Sequence, residues 1–249
     1  MRMEEITQMQ QKRDEKAARM LEIYSNESFN SVQSAQHMRL RLVTWAIRSK
    51  IQNNLKRVFD LIVAAIILVF ALPFMGIVAI IIKLDSPGPV FFHQKRVGKW
   101  GKPFYCHKFR SMYVDAEERK AELMDQNEAD DIVFKMKDDP RVTRVGRVIR
   151  KLSIDEVPQF FNVMKGEMSL VGPRPPVPSE VSQYEFEYMR RLDAMPGITG
   201  LQQISGRSSL NFKRWVEIDL EYIADQSLAN DIKILVRTVP AVVFGKDAY

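Results

Sequence analysis

The longest apolar run in this chain, Leu61–Ile82, contains no charged residue. At 1.5 Å per residue it would make roughly 33 Å of helix, about the hydrocarbon thickness of a bilayer. Just upstream, Leu40, Val43, Ile47, Ile51 and Leu55 recur at three- and four-residue spacing among Arg39, Arg41, Arg48, Lys50, Lys56 and Arg57. This pattern predicts a basic amphipathic helix over 37–57, with Trp45, lying on an anionic membrane surface. An ordinary surface helix packed on a core would show the same period. Residues 1–36 are polar and rich in Met and Gln: an accessory arm able to pair two copies into a homodimer, or a disordered tail.

The apolar run is long enough to span a membrane, but two features argue against a simple span. Pro73 sits near its middle, where it removes a backbone hydrogen bond and kinks a helix. Both flanks are basic, with Lys50, Lys56 and Arg57 before the run and Lys83, Lys95, Arg96, Lys99 and Lys102 after it. Basic flanks favour the cytoplasmic side, and a spanning helix can place only one of them there. The expectation is a re-entrant helix over 58–83 that enters, breaks at Leu72-Pro73 and returns to the same face. Asp60, inside the apolar start, then needs a partner such as Arg57.

Beyond residue 84 the periods shorten. Asp85-Ser86-Pro87-Gly88-Pro89 is a turn cluster, Val90-Phe91-Phe92 starts a strand, and Gly98–Pro103 is a second turn leading into Phe104–Met112. Alternation puts Lys108 and Arg110 on one side of that segment, as two cations aimed at one anion or as a solvated face. His93 and His107 stand isolated, and neither is expected to bind a metal. Residues 115–138 read as a charged helical stretch. Arg141, Arg144, Arg147 and Arg150 follow at a spacing of three, which places them on one side of a helix. A polar helix over Tyr184–Asp193, a turn at Met195–Leu201, an amphipathic helix over Asn211–Ala224 and an apolar end, Ile232–Phe244, complete the chain.

Charge narrows the partners. A net charge of +6 and a pI near 9.3 favour an anionic partner. Nucleic acid is not expected, because the arginine row lacks aromatic interleaving or a recognised motif. The single cysteine, Cys106, excludes an internal disulfide framework, and no Cys/His cluster has zinc spacing. The polar N-terminus predicts no cleaved secretory signal.

Candidate chemistry concentrates in Arg150–Pro176. Asp155 and Glu156 stand between basic residues and a rigid Gly172-Pro173-Arg174-Pro175 turn, among Leu152, Ile154, Val157, Phe160 and Phe161. Carboxylates in partly desolvated settings are frequently functional, and acids bracketed by arginines suit a site that handles metal and phosphate together. Ser153-Ile154-Asp155-Glu156 also matches a capping box, predicting a helix from Ser153 to near Gly166 with its dipole holding Asp155 ionised. On spacing alone, acids that serve only to cap a helix are as good a reading.

The ordered segments KRVFDLIVAAIILVFALPF, DSPGPVFFHQKRVG, KFRSM, DPRVTRVGRVIRKLSIDEVPQFFNVMKGEMSLVGPRP, PGITGLQQISGR and DLEYIADQSLANDIKIL occur in unbroken order between Lys56 and Phe244. They resemble the bacterial monotopic phosphoglycosyl transferases, also called the bacterial sugar transferase family. The resemblance implies an α+β fold: a small mixed α/β core with a re-entrant helix broken at a proline, and interfacial amphipathic helices. The chain would then be a monotopic protein on the cytoplasmic face of the bacterial plasma membrane, with residues 84–249 as its catalytic domain. The implied reaction moves a sugar phosphate from a UDP-sugar to undecaprenyl phosphate, releasing UMP, with anionic lipids as surroundings and Mg²⁺ as cofactor. Residue by residue, Asp155 would be nucleophile and metal ligand and Glu156 its catalytic partner. Arg150 and Arg174 would bind phosphate, with Lys108 and Arg110 as further phosphate contacts. Arg207, Gly197 and Gly200 would be weaker nucleotide-side candidates. The family's helix break is commonly Ser-Pro, and here the pair is Leu72-Pro73. The same acids and arginines would also serve a Mg²⁺-dependent diphosphate hydrolase, and the basic helices alone a membrane-binding scaffold.

Overall fold

The computed structural model describes residues 32–120, 122–123, 136, 138–205 and 211–244. Residues 1–31 of the polar arm, and Arg207, lie outside these. Helix α1 (Val32–Asp85) is a single element of 54 residues with Pro73 inside it. The two predicted segments, 37–57 and 58–83, are therefore one helix, and Leu72-Pro73 does not end it. A proline removes one donor and displaces one carbonyl, so the turns on either side keep their hydrogen bonds. The described residues up to Asn53 belong to one unit and those from Asn54 onward to a second, with α1 contributing to both. In the first unit Leu42, Val43, Ile47 and Ile51 are exposed.

In the second unit α1 buries Lys56, Asp60, Ala64, Leu68, Met75 and Ile82, a row at spacings of four and seven that defines one helix face. Ala64 packs with Phe104, Cys106, Val163, Met168, Tyr222 and Ile234. Leu68, Met75 and Ile82 pack with Phe109 and Ile149. The apolar helix thus rests on the same core before and after its proline. Val63, Ala71 and Val78 are partly buried beside this row, and Val69, Phe70, Leu72, Phe74, Ile77 and Ile80 are exposed.

Strands β1 (Phe91–Val97) and β2 (Pro103–Phe109) pair antiparallel, from Phe91 opposite Phe109 to Val97 opposite Pro103. Side chains alternate across this hairpin. Its register puts Gln94, Arg96, Cys106 and Lys108 on one face and His93, Lys95, Tyr105 and His107 on the other. His93 and His107 are not isolated. They are opposed across the strands with their Nδ1 atoms 2.8 Å apart. A short helix, α2 (Ala116–Lys120), follows, and residues 124–135 of the predicted charged stretch lie outside the described residues.

Helix α3 (Arg144–Lys151) begins at Thr143, whose side chain accepts from Gly146 N. Arg141 is consequently off the helix. It is buried and pairs with Asp139 at 2.7 Å. A 3₁₀ turn (Ile154–Glu156) and helix α4 (Gln159–Lys165) come next. The predicted capping box does not form: Ser153 has φ 56, and its side chain makes no cap hydrogen bond. It occupies the left-handed position that closes α3, which is incompatible with the extended backbone of an N-cap. Pro158 is the residue before α4, where a proline is tolerated, and Gly166 (φ 83) ends the helix as expected.

Strand β3 (Ser169–Val171) pairs in parallel with β4 (Gly197–Thr199). Between them lie α5 (Pro178–Val181) and a 3₁₀ segment over Phe186–Asp193, where the sequence predicts a polar α-helix. Helices α6 (Leu201–Ile204), α7 (Phe212–Ala224) and α8 (Leu228–Phe244) complete the unit. Asn211 caps α7 by accepting from Arg214 N. On α8, Val236 and Val239 are exposed and Ile234 is buried.

Candidate active site

The segment between α3 and α4 presents two adjacent carboxylates in different surroundings. Asp155 is 8% exposed, in the 3₁₀ turn that joins α3 to α4. Burial pushes its carboxyl up to about 6, with the Lys108 ammonium pulling the other way and Glu156 adding to the rise. The predicted reason for an ionised Asp155, a helix dipole, is thus replaced by desolvation acting in the opposite direction. Glu156 is half-buried, and its Oε1 accepts from Lys108 Nζ at 2.8 Å.

Both acids line a cleft of 490 Å³ together with Lys108, Arg110, Arg150, Arg174 and Gly197. The elements that meet there include β1 and β2, the end of α3, the 3₁₀ turn, the Gly172–Pro175 turn and the start of β4. Arg150 comes from the last turn of α3 and acts on Asp155 through space. Arg174 is exposed on the stiff turn after β3.

Arg110 lines the same cleft as Lys108, one residue past the end of β2. Its guanidinium is buried and donates to the carbonyls of Ser86, at 2.8 Å, and of Pro87, fixing the turn that leaves α1. Only its Nε, which lacks a partner, is uncommitted. Gly200 packs against the Gly172–Pro175 turn, where a Cβ would meet Gly172 O at 2.4 Å. Arg144 and Arg147 are exposed on α3 and, unlike Arg150, do not line the cleft.

The sequence reasoning missed Arg96, which lines the same cleft with Gln94, Gln202, Gln203 and Trp215. Arg96 donates to Pro175 O at 2.7 Å and to Gln94 Oε1 at 3.0 Å. Burial, reinforced by the like charge of Arg174, lowers this guanidinium to about 10. Its signal was present: pairing the strands around the turn at 98–103 puts Arg96 on the face of Lys108.

Electrostatically the cleft carries the desolvated Asp155 carboxylate and other acids, among them Glu156 and Asp139, together with the cations Lys108, Arg150, Arg174 and Arg96. Such a site can bring a nucleophilic oxygen to a phosphorus centre while guanidinium groups hold the phosphate oxygens. Among the described residues no group of three or more His, Cys, Asp or Glu side chains is placed to hold a metal ion. The Asp155–Glu156 pair nevertheless fits Mg²⁺, which binds through one or two carboxylates plus phosphate oxygens and water.

Comparison with known proteins gives the same direction. Residues 51–245 match the family described as bacterial sugar transferase. The chain is 49% identical to the galactosyl transferase CpsE of Streptococcus agalactiae serotype III (strain NEM316) over 178 residues, 70% of this chain and 39% of that protein. It is 39% identical to the exopolysaccharide production protein ExoY of Rhizobium meliloti (strain 1021), across 83% of this chain and 92% of that one. It is also 39% identical to the UDP-glucose:undecaprenyl-phosphate glucose-1-phosphate transferase of Caulobacter vibrioides (strain ATCC 19089 / CIP 103742 / CB 15), across 78% of this chain and 72% of that one. Against several other relatives, as with CpsE, the chain spans about two-fifths of their length.

Proposed function

This chain belongs to the bacterial sugar transferase family, and from that premise we propose that it transfers a hexose 1-phosphate from a UDP-sugar to undecaprenyl phosphate, releasing UMP. The observation that carries the reading is Asp155, buried in a cleft that Lys108, Arg150, Arg174 and Arg96 also line. The names of the relatives supply the substrate classes. Glucose and galactose both occur among those names, and no residue of the cleft gives a physical reason to favour either. The product would be the first lipid-linked intermediate of an exopolysaccharide, capsule or related glycan.

In this mechanism an Asp155 carboxylate oxygen attacks the sugar-bearing phosphorus. The bond from that phosphorus to the bridging oxygen breaks, and UMP leaves with the electron pair. The aspartyl phosphosugar is then attacked by an oxygen of undecaprenyl phosphate, which restores the Asp155 carboxylate. Glu156, held by Lys108, is placed to accept the proton of an incoming monoprotonated lipid phosphate. Arg150, Arg174 and Arg96 hold phosphate oxygens and offset the charge of the transferring group. Asp155, with Glu156 beside it, would hold Mg²⁺, which supplies Lewis-acid neutralisation of the diphosphate.

The same reading places the site at the cytoplasmic face of a bacterial plasma membrane, reached by a helix that dips in without crossing. Support comes from the two ends of the apolar run. Arg57 and Asp60 at one end, and Asp85 at the other, bond to the same unit: to Val163 O, Ser169 Oγ and Val145 N respectively. Exposed apolar residues lie both before and after Pro73, Val69, Phe70 and Leu72 on one side and Phe74, Ile77 and Ile80 on the other. A spanning helix would have to release one of these ends, either the Asp85 contact to Val145 N or the contacts that cover the buried Asp60 carboxylate.

The test is mass spectrometry of detergent-solubilised protein with Mg²⁺ and separate UDP-sugars, without lipid phosphate. A sugar-phosphate adduct on the peptide containing Asp155 is the expected result, and the labelling donor identifies the sugar. UMP release only after undecaprenyl phosphate is added, with no adduct, would sink the covalent step. No release under either condition would sink the transferase reading.

A further inference from the structure

At the base of the apolar part of α1 lies a buried ionic cluster that the transfer chemistry does not use. Lys56, Asp60 and Asp231 are 7%, 3% and 1% exposed. Lys56 Nζ stands 2.6 Å from Asp231 Oδ2 and donates to Val171 O at 3.2 Å. The Tyr222 hydroxyl is 2.8 Å from Asp231 Oδ1 and 3.0 Å from the same Val171 carbonyl. Asp60 accepts from Ser169 Oγ at 2.7 Å and from Leu170 N at 3.3 Å. The next residue along α1, Arg57, donates to Val163 O at 2.7 Å and Met164 O at 3.2 Å.

Two consecutive residues of α1 therefore grip both sides of the segment that carries the chemistry. Arg57 holds the end of α4, the helix that Asp155 leads into. Lys56 holds the end of β3, which leads into Arg174. Among the described residues strand β3 has a single strand neighbour, β4, and the cluster meets polar groups that a second neighbour would otherwise take. Stability alone is a poor reason for such a cluster, because burying charges costs about as much as their attraction returns. What ions add over an apolar plug is direction: an ammonium and a hydroxyl converge on one carbonyl.

That carbonyl belongs to the residue before Gly172-Pro173-Arg174-Pro175. The two prolines fix φ at their positions, and the turn is pinned by Gly172 N to Thr199 O and Gly197 N to Pro173 O, both 2.9 Å. Arg96 holds its far end through Pro175 O at 2.7 Å. A stiff turn transmits a tilt at Val171 to the Arg174 guanidinium. We propose that Lys56, supported by Asp231 and Tyr222, is a positioning residue that aims Arg174 into the cleft and so couples the seating of α1 to the phosphate site. The inference rests on the transferase reading for its catalytic consequence, though not for the clamp itself.

The test is a double-mutant cycle with Lys56→Met and Arg174→Ala, following UMP release at saturating donor and lipid phosphate. Misplacing a phosphate-binding group by about 1 Å costs on the order of 100-fold, so Lys56→Met is expected to lower kcat 10- to 100-fold with little change in KM. In the double variant the loss should be no greater than for Arg174→Ala alone, since Lys56 then has nothing left to aim. Losses that multiply would mean that Lys56 is merely structural, and the proposal falls. Hydrogen exchange over residues 169–175 gives a readout independent of activity. Lys56→Met should accelerate it while exchange in the β1–β2 hairpin stays put, and unchanged exchange overturns the clamp. Should Lys56→Met not fold, Tyr222→Phe removes one hydroxyl and takes the same two measurements with smaller expected losses. A wild type that transfers nothing overturns the transferase reading, and exchange then decides the clamp on its own.

Discussion

Glu156 accepts a hydrogen bond from Lys108 at 2.8 Å, and this contact divides the labour between two adjacent acids. The ammonium that Glu156 fixes is also the strongest influence opposing the burial-driven rise of Asp155. Lys108 thereby keeps a buried carboxyl ionisable near neutral pH. Turnover should fall as pH drops through about 6, where burial places the Asp155 titration, because the protonated acid is not a nucleophile. Lys108→Met removes the lowering influence, so the acidic limb should move to higher pH as well as losing rate. A kcat/KM profile over pH 5–9 measures both. A limb that stays in place in the variant would separate Lys108 from Asp155.

The same burial makes Asp155 a liability to the fold. Its folded-state value lies above the ordinary 3.8, so ionising it disfavours the folded state. The cost is absent below the unfolded value, grows as pH rises between it and about 6, and is full above that. Asp155→Asn, which cannot ionise, should abolish adduct formation yet stabilise the protein at pH 8 by on the order of 2–3 kcal/mol. At pH 3.5 the gain should vanish. Thermal unfolding of both proteins at the two pH values checks this, and a destabilised variant at pH 8 would remove the desolvation account.

How far the sequence reaches can be seen residue by residue. The apolar run, the β1–β2 hairpin, the stop at Gly166 and the Asp155–Glu156 pair follow from short-range pattern, because period and turn chemistry act locally. Ser153 defeats that logic. Its side chain reads as an N-cap, but its left-handed backbone, φ 56, is set by the closing of α3, a neighbour the motif does not include. Arg110 resembles a phosphate ligand until the chain leaves β2 and its guanidinium meets the Ser86 and Pro87 carbonyls. Arg96 becomes visible only once register is known, since a strand's face is a property of pairing. The Lys56–Asp231 contact, 175 positions apart, has no local signature at all.

The arginine row after Asp139 separates into different jobs. Arg141 is buried, donates to both Asp139 oxygens and reaches Ala116 O at 3.2 Å. Arg141→Ala strands the buried Asp139 carboxylate, with a loss of about 3 kcal/mol or more expected. Arg147→Ala, on the exposed side of α3, should stay within about 0.5 kcal/mol of wild type. Denaturant unfolding at neutral pH discriminates them, and equal losses would return Arg141 to the surface.

The membrane path of α1 yields a prediction that needs no enzymology. Because residues near both ends of the apolar run bond within one unit, positions flanking the run should face the same compartment. Cys106 is 1% exposed, so single cysteines introduced at Asn53 and Leu84 can be read above a silent background. A membrane-impermeant maleimide should label neither from outside intact spheroplasts and both in inverted vesicles. Straightening the helix tests the cause. Pro73→Ala restores a backbone donor worth up to about 3 kcal/mol of helix stability, which favours a straight course for a run already long enough to cross a bilayer. Part of that variant population should then expose Leu84Cys to the outer reagent, at the cost of the Asp85 contact to Val145 N. Outer labelling at either position in the otherwise native protein would mean that α1 crosses the membrane, and the dipping helix would be abandoned.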